Sequence, residues 1–205
     1  LIEDIEITVS DGELFDSTTF NVTVNPVNDA PSLGALLDVE INENGVYELE
    51  LNGTDIDEDD LFFDVSIDGN GSVDIVGSNL TITPNINFNG DIVVTVLVTD
   101  EGGLSDSGAF TLTVTPVNDA PVLEEIANQI IDEDTALAIP VFASDIDDDQ
   151  LTLSASGDNA TTSFDGTTLT VTPNENYNGD ILVTVTANDA ELSDSTTFTL
   201  TVYPV

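Results

Sequence analysis

Apolar and polar residues alternate along much of the chain, so that every second residue is apolar. In residues 92–99, Val94, Val96 and Val98 fall on one face of an extended strand, and threonines fall on the other. Residues 110–115 continue the alternation and would form the second strand of a hairpin. No stretch of the sequence sustains the spacing of an amphipathic helix. The pattern therefore predicts an all-β protein.

The same strand pair is predicted near the end and at the start of the chain. About seven short strands per repeat, separated by Gly, Asn and Asp turns, indicate immunoglobulin-like Greek-key β-sandwiches. Further strands are predicted at 47–51, 61–67, 73–76, 80–83, 137–143, 151–155 and 169–172. The inward residues of the two other hairpins are Val183, Val185, Ala187, Phe198, Leu200 and Val202, and Ile5, Ile7, Val9, Phe20, Val22 and Val24.

An internal repeat predicts the domain organisation. Residues 26–31 read Pro-Val-Asn-Asp-Ala-Pro and return unchanged 90 positions later, at 116–121. A repeat at a fixed distance along the chain is typical of tandem domains. We expect two complete sandwiches joined end to end, at residues 28–117 and 118–205. Residues 1–27 would be the C-terminal hairpin of a preceding repeat. Because a lone hairpin is marginally stable in water, the rest of that repeat would lie outside this chain or come from a neighbouring one.

Charge narrows the range of partners. The 205 residues include 41 Asp and Glu and no Lys, Arg or His, giving a formal charge of -41. Nucleic acid and anionic membrane surfaces are bound through Lys and Arg, so neither is expected as a partner. Membrane insertion is also not expected, because no apolar run approaches about 20 residues. High charge allows disorder without a cation, although 40% apolar residues favour a folded chain.

Acidic residues recur at fixed places relative to the strands. A Glu lies near the start of each full repeat, an Asp-x-Asp follows the second strand, and one Asp ends the penultimate strand. The Asn-Asp of the linker completes the set. In chain order these residues are Asp11, Asn28, Asp29, Glu43, Asp55, Asp57, Asp100, Asn118, Asp119, Glu133, Asp145, Asp147 and Asp189.

Calcium is the cation that this set of residues suits. Ca²⁺ takes six to eight oxygen ligands, whereas Mg²⁺ demands tighter octahedral geometry and Zn²⁺ prefers the His and Cys ligands that are absent here. Two carboxylates about 5 Å apart repel by roughly 3 kcal/mol at an effective dielectric of about 20, so a cluster needs a cation. An EF-hand beginning at Asp55 fails, because Asp60 replaces its Gly and Ser66 its Glu. Most of the other acids are expected to be solvated surface residues.

The Val98-Thr99-Asp100 segment, the Asp145-Ile146-Asp147 element and the linker resemble the cadherin repeat. The resemblance is to bacterial forms with a Pro-Val-Asn-Asp-Ala-Pro linker, found in large repetitive surface adhesins. It implies Ca²⁺ at the junctions between repeats. The junction between the full repeats would use Glu43, Asn118, Asp119, Asp145, Asp147 and Asp189, and the junction before it Asn28, Asp29, Asp55, Asp57 and Asp100. Glu133 would face a junction beyond Val205, and Asp11 is the same late Asp in the leading fragment.

Two departures from animal cadherins reduce the expected ligand number. Pro26 and Pro116 stand at the first linker position, where animal cadherins have Asp, and Ala30 and Ala120 replace the last Asn of that linker. The internal Asp-Arg-Glu element is absent, so one or two ions per junction are expected. The tryptophan of strand-swap adhesion is also absent.

The function predicted from the sequence is a calcium-rigidified spacer or stalk segment of a bacterial adhesin or surface filament, extracellular and secreted. Its partners would be calcium ions, neighbouring repeats and like chains in a filament or another cell surface. The alternative is an adhesive or carbohydrate-binding module that itself contacts a ligand. Catalytic and cofactor-binding residues are not predicted, because nucleophilic and phosphate chemistry lose their usual His, Cys, Lys and Arg participants.

Overall fold

The computed structural model describes residues 2–205, which form β-strands, turns and loops. It divides into two compact units, Leu1–Thr115 and Pro116–Val205. The predicted all-β, immunoglobulin-like class is confirmed. Within the described residues, no helix has the length and apolar character needed to cross a membrane.

Unit 1 contains a hairpin followed by a sandwich of two sheets. The hairpin pairs β1 with β2. In the sandwich, one sheet has the order β4-β11-β10-β7, the other β5-β9-β8, and β3 pairs with β6. The strands are β1 (Ile2–Ser10), β2 (Phe15–Thr23), β3 (Ser32–Leu33), β4 (Val39–Asn42), β5 (Tyr47–Glu50), β6 (Gly53–Thr54), β7 (Phe62–Ile67), β8 (Gly71–Val76), β9 (Asn79–Pro84), β10 (Gly90–Thr99) and β11 (Ser105–Thr115).

Unit 2 repeats this sandwich. Its sheets have the orders β13-β20-β19-β16 and β14-β18-β17, and β12 pairs with β15. The strands are β12 (Val122–Leu123), β13 (Gln129–Asp132), β14 (Leu137–Pro140), β15 (Ala143–Ser144), β16 (Thr152–Gly157), β17 (Ala160–Asp165), β18 (Thr168–Pro173), β19 (Gly179–Asn188) and β20 (Ser193–Tyr203).

The alternating residues of the long hairpins form the cores. In unit 1, Val94 and Val96 of β10 pack with Leu112 of β11 and with Leu80 and Ile82 from the facing sheet, and all five are buried. The equivalent cluster of unit 2 is Val183, Val185, Leu200, Leu169 and Val171. A side chain of this size contributes about 1.5–3 kcal/mol when fully buried, so these hairpins anchor each sandwich.

The short strands differ from the sequence prediction in detail. The continuous strand expected at 137–143 is two strands, β14 and β15, that join different sheets. Between them Val141 is buried and Phe142 is exposed. Strand β17 was not predicted, because its residues are mostly Ala, Thr and Ser and carry little apolar periodicity.

The same contact occurs in both units and holds the first short strand of each sandwich to its last long strand. The Leu33 amide donates to Asp106 Oδ2 at 2.8 Å, and the Leu123 amide donates to Asp194 Oδ2 at 2.9 Å. The bonds from Leu33 and Ser107 hold the pKa of Asp106 below its ordinary value. Hydrogen bonds to a carboxylate favour its ionised form, so this Asp has a structural role.

Candidate metal site

The site of unit 1 lies where β10 ends. Asp100 follows Thr99 directly, and only 3% of its surface is exposed. Its Oδ1 accepts a bond from the Leu104 amide at 2.8 Å, and its Oδ2 accepts one from Asn28 Nδ2 at 3.0 Å. A side chain of the linker is thereby fixed to a buried carboxylate at the end of the core strand.

The Asp-x-Asp element binds the linker a second time. The Asp57 amide donates to Asp55 Oδ1 at 2.8 Å, and the Asp29 amide donates to Asp57 Oδ2 at 2.8 Å. The other carboxylate oxygen, Asp55 Oδ2, is buried and has no hydrogen-bond partner among the described residues. Because a buried, unpaired charged oxygen is costly, this atom indicates a missing partner.

Two further residues belong to this site. A Cβ at Gly102 would collide with the Asn28 side chain, so a larger residue here would displace the side chain that donates to Asp100. Desolvation raises the pKa of Asp59, and the charges of Asp55, Asp100, Asp57 and Asp60 raise it further. Sequence reasoning missed both residues. Asp59 had a detectable pattern, because Asp149 occupies the equivalent place in the second repeat.

Unit 2 contains the same arrangement. Asn118 Nδ2 donates to Asp189 Oδ2 at 3.0 Å, the Asp119 amide to Asp147 Oδ2 at 2.8 Å, and the Asp147 amide to Asp145 Oδ1 at 2.9 Å. Asp145 Oδ2 is again buried without a partner among the described residues. The orphaned oxygen is therefore a feature of the repeat and not of one unit.

Asp189 is the unit 2 counterpart of Asp100 and is 8% exposed. Its Oδ1 accepts bonds from the Leu192 amide at 2.6 Å and the Glu191 amide at 2.7 Å. The Leu192 bond is the largest cause that holds the pKa of Asp189 below its ordinary value, and the Asn118 side chain adds to it. The carboxylate is therefore ionised at neutral pH.

The predicted glutamates lie elsewhere in their own units. The Glu43 amide donates to the Thr115 carbonyl at 2.9 Å, and the Glu133 amide to the Tyr203 carbonyl at 2.7 Å. Thr115 ends β11, whereas Asp100 precedes its start. With about 3.4 Å per strand residue, Glu43 lies at the opposite end of the unit 1 sandwich from Asp100.

The predicted residue Asp11 lies in the turn between β1 and β2. Its Oδ1 accepts bonds from the Glu13 and Leu14 amides at 3.0 and 2.8 Å. These bonds lower the pKa of Asp11, and the Leu14 bond contributes most to the shift. Asp100 and Asp189 occupy the equivalent turns of the two sandwiches. Unlike them, Asp11 is not contacted by a linker amide among the described residues.

The donor set of each site fits a hard divalent cation. All candidate ligands are carboxylate or amide oxygens, and the chain carries no Lys, Arg or His that could neutralise them. The buried unpaired oxygens of Asp55 and Asp145 supply the acceptor atoms that such a cation requires. Ca²⁺ accepts carboxylates, amide carbonyls and backbone carbonyls together, so these residues are suited to it.

Comparisons with known proteins agree with the fold. The human protocadherin-24 EC1-2 structure matches 86% of this chain and 99% of its own, with 16% identity and a TM-score of 0.51. The human desmocollin-1 ectodomain matches 100% of this chain and 47% of its own, with 17% identity and a TM-score of 0.49. An endo-fucoidan hydrolase from glycoside hydrolase family 107 matches with 17% identity and a TM-score of 0.40, and this chain spans 34% of its length.

No curated protein matches the sequence. The family model of the bacterial Ig domain matches residues 28–113 and again residues 118–201. Together these two matches cover most of the chain, and each falls on one sandwich. The chain belongs to the bacterial Ig domain family, of which it carries two tandem copies.

Proposed function

We propose that each acidic site binds Ca²⁺ and that the chain is a calcium-stiffened extracellular spacer of a bacterial adhesin or surface filament. Tandem bacterial Ig domains with a cadherin-like fold fit an adhesin-type segment. The Pro-Val-Asn-Asp-Ala-Pro linker type and the repeat boundaries at residues 28–117 and 118–205 are part of this proposal. No residue is assigned a catalytic role.

One observation carries the proposal. In both units the linker is bound to the same two carboxylates, and the neighbouring Asp55 or Asp145 keeps one buried oxygen without a donor. A cation that binds this oxygen would neutralise the carboxylates that anchor the linker. Ion binding and linker order would then be coupled, because the ion would favour the bound linker over the free one.

The ligands would come from the linker, the Asp-x-Asp element and the late Asp of each unit. We propose Asn28, Asp29, Asp55, Asp57 and Asp100 for the first site, with Asp59 as an additional carboxylate. For the second we propose Asn118, Asp119, Asp145, Asp147 and Asp189. Glu43 would complete the second site at the junction between the repeats, and Glu133 a junction after Val205. Asp11 would serve the leading repeat, and one or two ions would bind at each junction.

Extracellular modules bind Ca²⁺ with dissociation constants of about 10⁻⁴ to 10⁻³ M. Millimolar calcium outside the cell would therefore keep the sites filled and hold a distal domain away from the surface. Without calcium, repulsion between the carboxylates would weaken the anchoring of the linkers.

Small-angle scattering in calcium and in chelator tests the spacer role. We expect a longer and better-defined maximum dimension in millimolar Ca²⁺, and a shorter average one after chelation. The Asp55→Asn, Asp145→Asn double variant should behave in calcium as the natural chain does in chelator, whereas Asp165→Asn, an exposed change outside both sites, should not. An identical maximum dimension in both solutions would remove the mechanical role.

A further inference from the structure

A groove on the surface of unit 2 combines an exposed aromatic ring with two carboxylates. It lies between residues 124–129 and residues 139–142, and its lining includes Glu124, Glu125 and Phe142. Phe142 is 58% exposed, and both glutamates are exposed as well. The groove lies entirely within unit 2, and none of its lining residues is a candidate ligand of the acidic sites.

The backbone fixes the two walls of the groove relative to each other. The Glu124 amide donates to the Phe142 carbonyl at 3.0 Å, and the Val141 amide donates to the Thr167 carbonyl at 2.8 Å. Val141 is buried and belongs to the core of unit 2. Because successive side chains of an extended segment point to opposite sides, burial of Val141 directs the neighbouring Phe142 ring outward. The ring is therefore held at the surface, in the groove that the glutamates also line.

Unit 1 has the same backbone contact with different side chains. The Gly34 amide donates to the Asn52 carbonyl at 2.7 Å, so these two residues are the counterparts of Glu124 and Phe142. The residue that follows Gly34 is an alanine, where unit 2 has its second glutamate. Since unit 1 forms the same sandwich with glycine, alanine and asparagine at these places, the fold requires neither the ring nor the two carboxylates.

The chemistry of the groove suits an organic cation. Carboxylates attract a positive charge and accept hydrogen bonds from its N–H groups, and the face of an aromatic ring attracts a cation that lies over it. Arginine combines both interactions, because its planar guanidinium stacks on a ring and presents a fork of donors to carboxylates. Ca²⁺ fits less well, because it takes six to eight oxygen ligands and the side chains of Ile139, Pro140 and Phe142 supply none.

The cation has to come from a different molecule. The chain contains no Lys, Arg or His among its 205 residues, so neither another segment of this chain nor a second copy of it can supply a cationic side chain. Arginine is also one of the residue types that are enriched at protein–protein interfaces. We propose that the groove of Glu124, Glu125 and Phe142 binds an arginine side chain presented by a partner protein of different sequence. The inference does not depend on calcium binding at the acidic sites.

Titration with Nα-acetyl-arginine methylamide, followed by nuclear magnetic resonance of the 205-residue chain in millimolar calcium, tests the proposal. We expect the amide signals of Glu124, Glu125 and Phe142 to shift and to reach saturation. The signals of Gly34 and Asn52 should stay in place, and they serve as an internal control for diffuse attraction to a chain of charge -41. Equal shifts at the equivalent places of both units would overturn the proposal.

Two related compounds identify the chemistry that is recognised. Nα-acetyl-citrulline methylamide has nearly the same shape as the arginine compound without its charge, and it should bind at least ~5-fold more weakly. The lysine compound should also bind more weakly than the arginine compound, because an ammonium offers no planar fork and does not stack. Equal affinity for citrulline, or equal or tighter binding of lysine, would overturn the assignment to arginine.

Two variants and a matched control assign the binding to the groove. Phe142→Leu keeps an apolar side chain but removes the ring, and should weaken binding of the arginine compound by about two- to fivefold. Glu124→Gln removes one charge and should weaken it by about fivefold. Glu175→Gln makes the same change at an exposed position outside the groove and should leave the affinity unchanged. Unchanged affinity in either groove variant, or an equal loss in Glu175→Gln, would contradict binding in this groove.

Discussion

The acidic sites of units 1 and 2 share their hydrogen bonds but differ in the residues around them. The two bonds that anchor the linker and the bond within the Asp-x-Asp element have lengths of 3.0, 2.8 and 2.8 Å in unit 1 and 3.0, 2.8 and 2.9 Å in unit 2. The turn after the late Asp has one residue fewer in unit 2, because residues 189–192 replace residues 100–104. Linker anchoring is therefore the common property, and the turn is free to vary.

Charge also differs between the two sites. Asp60 of the first site corresponds to Gln150 of the second, so the first site has one more nearby carboxylate.

The turn after the late Asp differs as well. In unit 1, Gly102 lies against Asn28, whereas in unit 2 Ala190 takes a positive φ of 93°. We infer that the shared residues decide whether a cation binds, and that the variable ones adjust how tightly.

The largest expected effect comes from removing the orphaned oxygen in one unit at a time. Asp145→Asn replaces one carboxylate oxygen by an NH₂ group and removes the negative charge. It should abolish the stabilisation of unit 2 by calcium and leave that of unit 1 unchanged. At calcium one hundred times the dissociation constant, binding contributes about 2.7 kcal/mol, or a Tm shift on the order of 10 °C for a domain of this size. Asp55→Asn should do the same for unit 1.

Hydrogen exchange resolved by unit checks this pair of variants. Each variant should lose calcium-dependent protection in its own unit and keep it in the other. If either variant retained the full response in both units, the two sites would not be the independent equivalents described here.

The next effect separates linker anchoring from ion binding. Asn28→Ala removes the donor to Asp100 Oδ2 and leaves a buried carboxylate oxygen unpaired, which costs about 1–3 kcal/mol. Unit 1 should lose this stability even in chelator. Denaturant unfolding measures this loss, with Asn25→Ala, an exposed residue directly before the linker, as the control. Equal midpoints for the two variants would contradict the anchoring role.

Exchanging the differing charge should move the affinities toward each other. Gln150→Asp should tighten calcium binding at the second site and Asp60→Gln should weaken it at the first, each by about three- to fourfold for a carboxylate roughly 10 Å from a divalent ion in water. Calcium titration of each variant measures the change. If the calcium affinity shifted in the same direction in both variants, the nearby charge would not be the cause of the difference in affinity between the two sites.

The smallest effect concerns Asp59 in the absence of calcium. Its pKa is raised in the folded protein, so the folded state binds the proton more readily than the unfolded state, and protonation stabilises unit 1 as the pH falls. Asp189 has the opposite sign. Its pKa is lowered, so its contribution is present at neutral pH and is lost as the pH falls through the lowered value.

Asp59→Asn should therefore raise the calcium-free stability of unit 1 at pH 7 and remove its gain on mild acidification. Thermal melts in chelator between pH 7 and pH 4 measure both changes. A variant less stable than the natural chain at pH 7 would show that Asp59 is not repelled by its neighbours.

The sequence predicted the features that carry a period. Alternation at Val94, Val96 and Val98 placed the core strands correctly, because burial on one face imposes every second residue. Strand β17 and the contact from Leu33 to Asp106 carry no such period, since they rest on small polar residues and on single side-chain bonds. At the site, repetition identified most of the recurrent acids. Asp59 was missed although Asp149 repeats it, and its proximity to four other carboxylates is what revealed it.

The most direct test of the central claim is thermal unfolding across calcium concentrations for the natural chain and for the Asp55→Asn, Asp145→Asn double variant. Binding to the folded state alone must raise Tm with ion concentration. We expect Tm of the natural chain to rise continuously through the millimolar range and Tm of the double variant to stay constant. The same rise in both chains, or none in the natural chain, would contradict calcium binding at these sites.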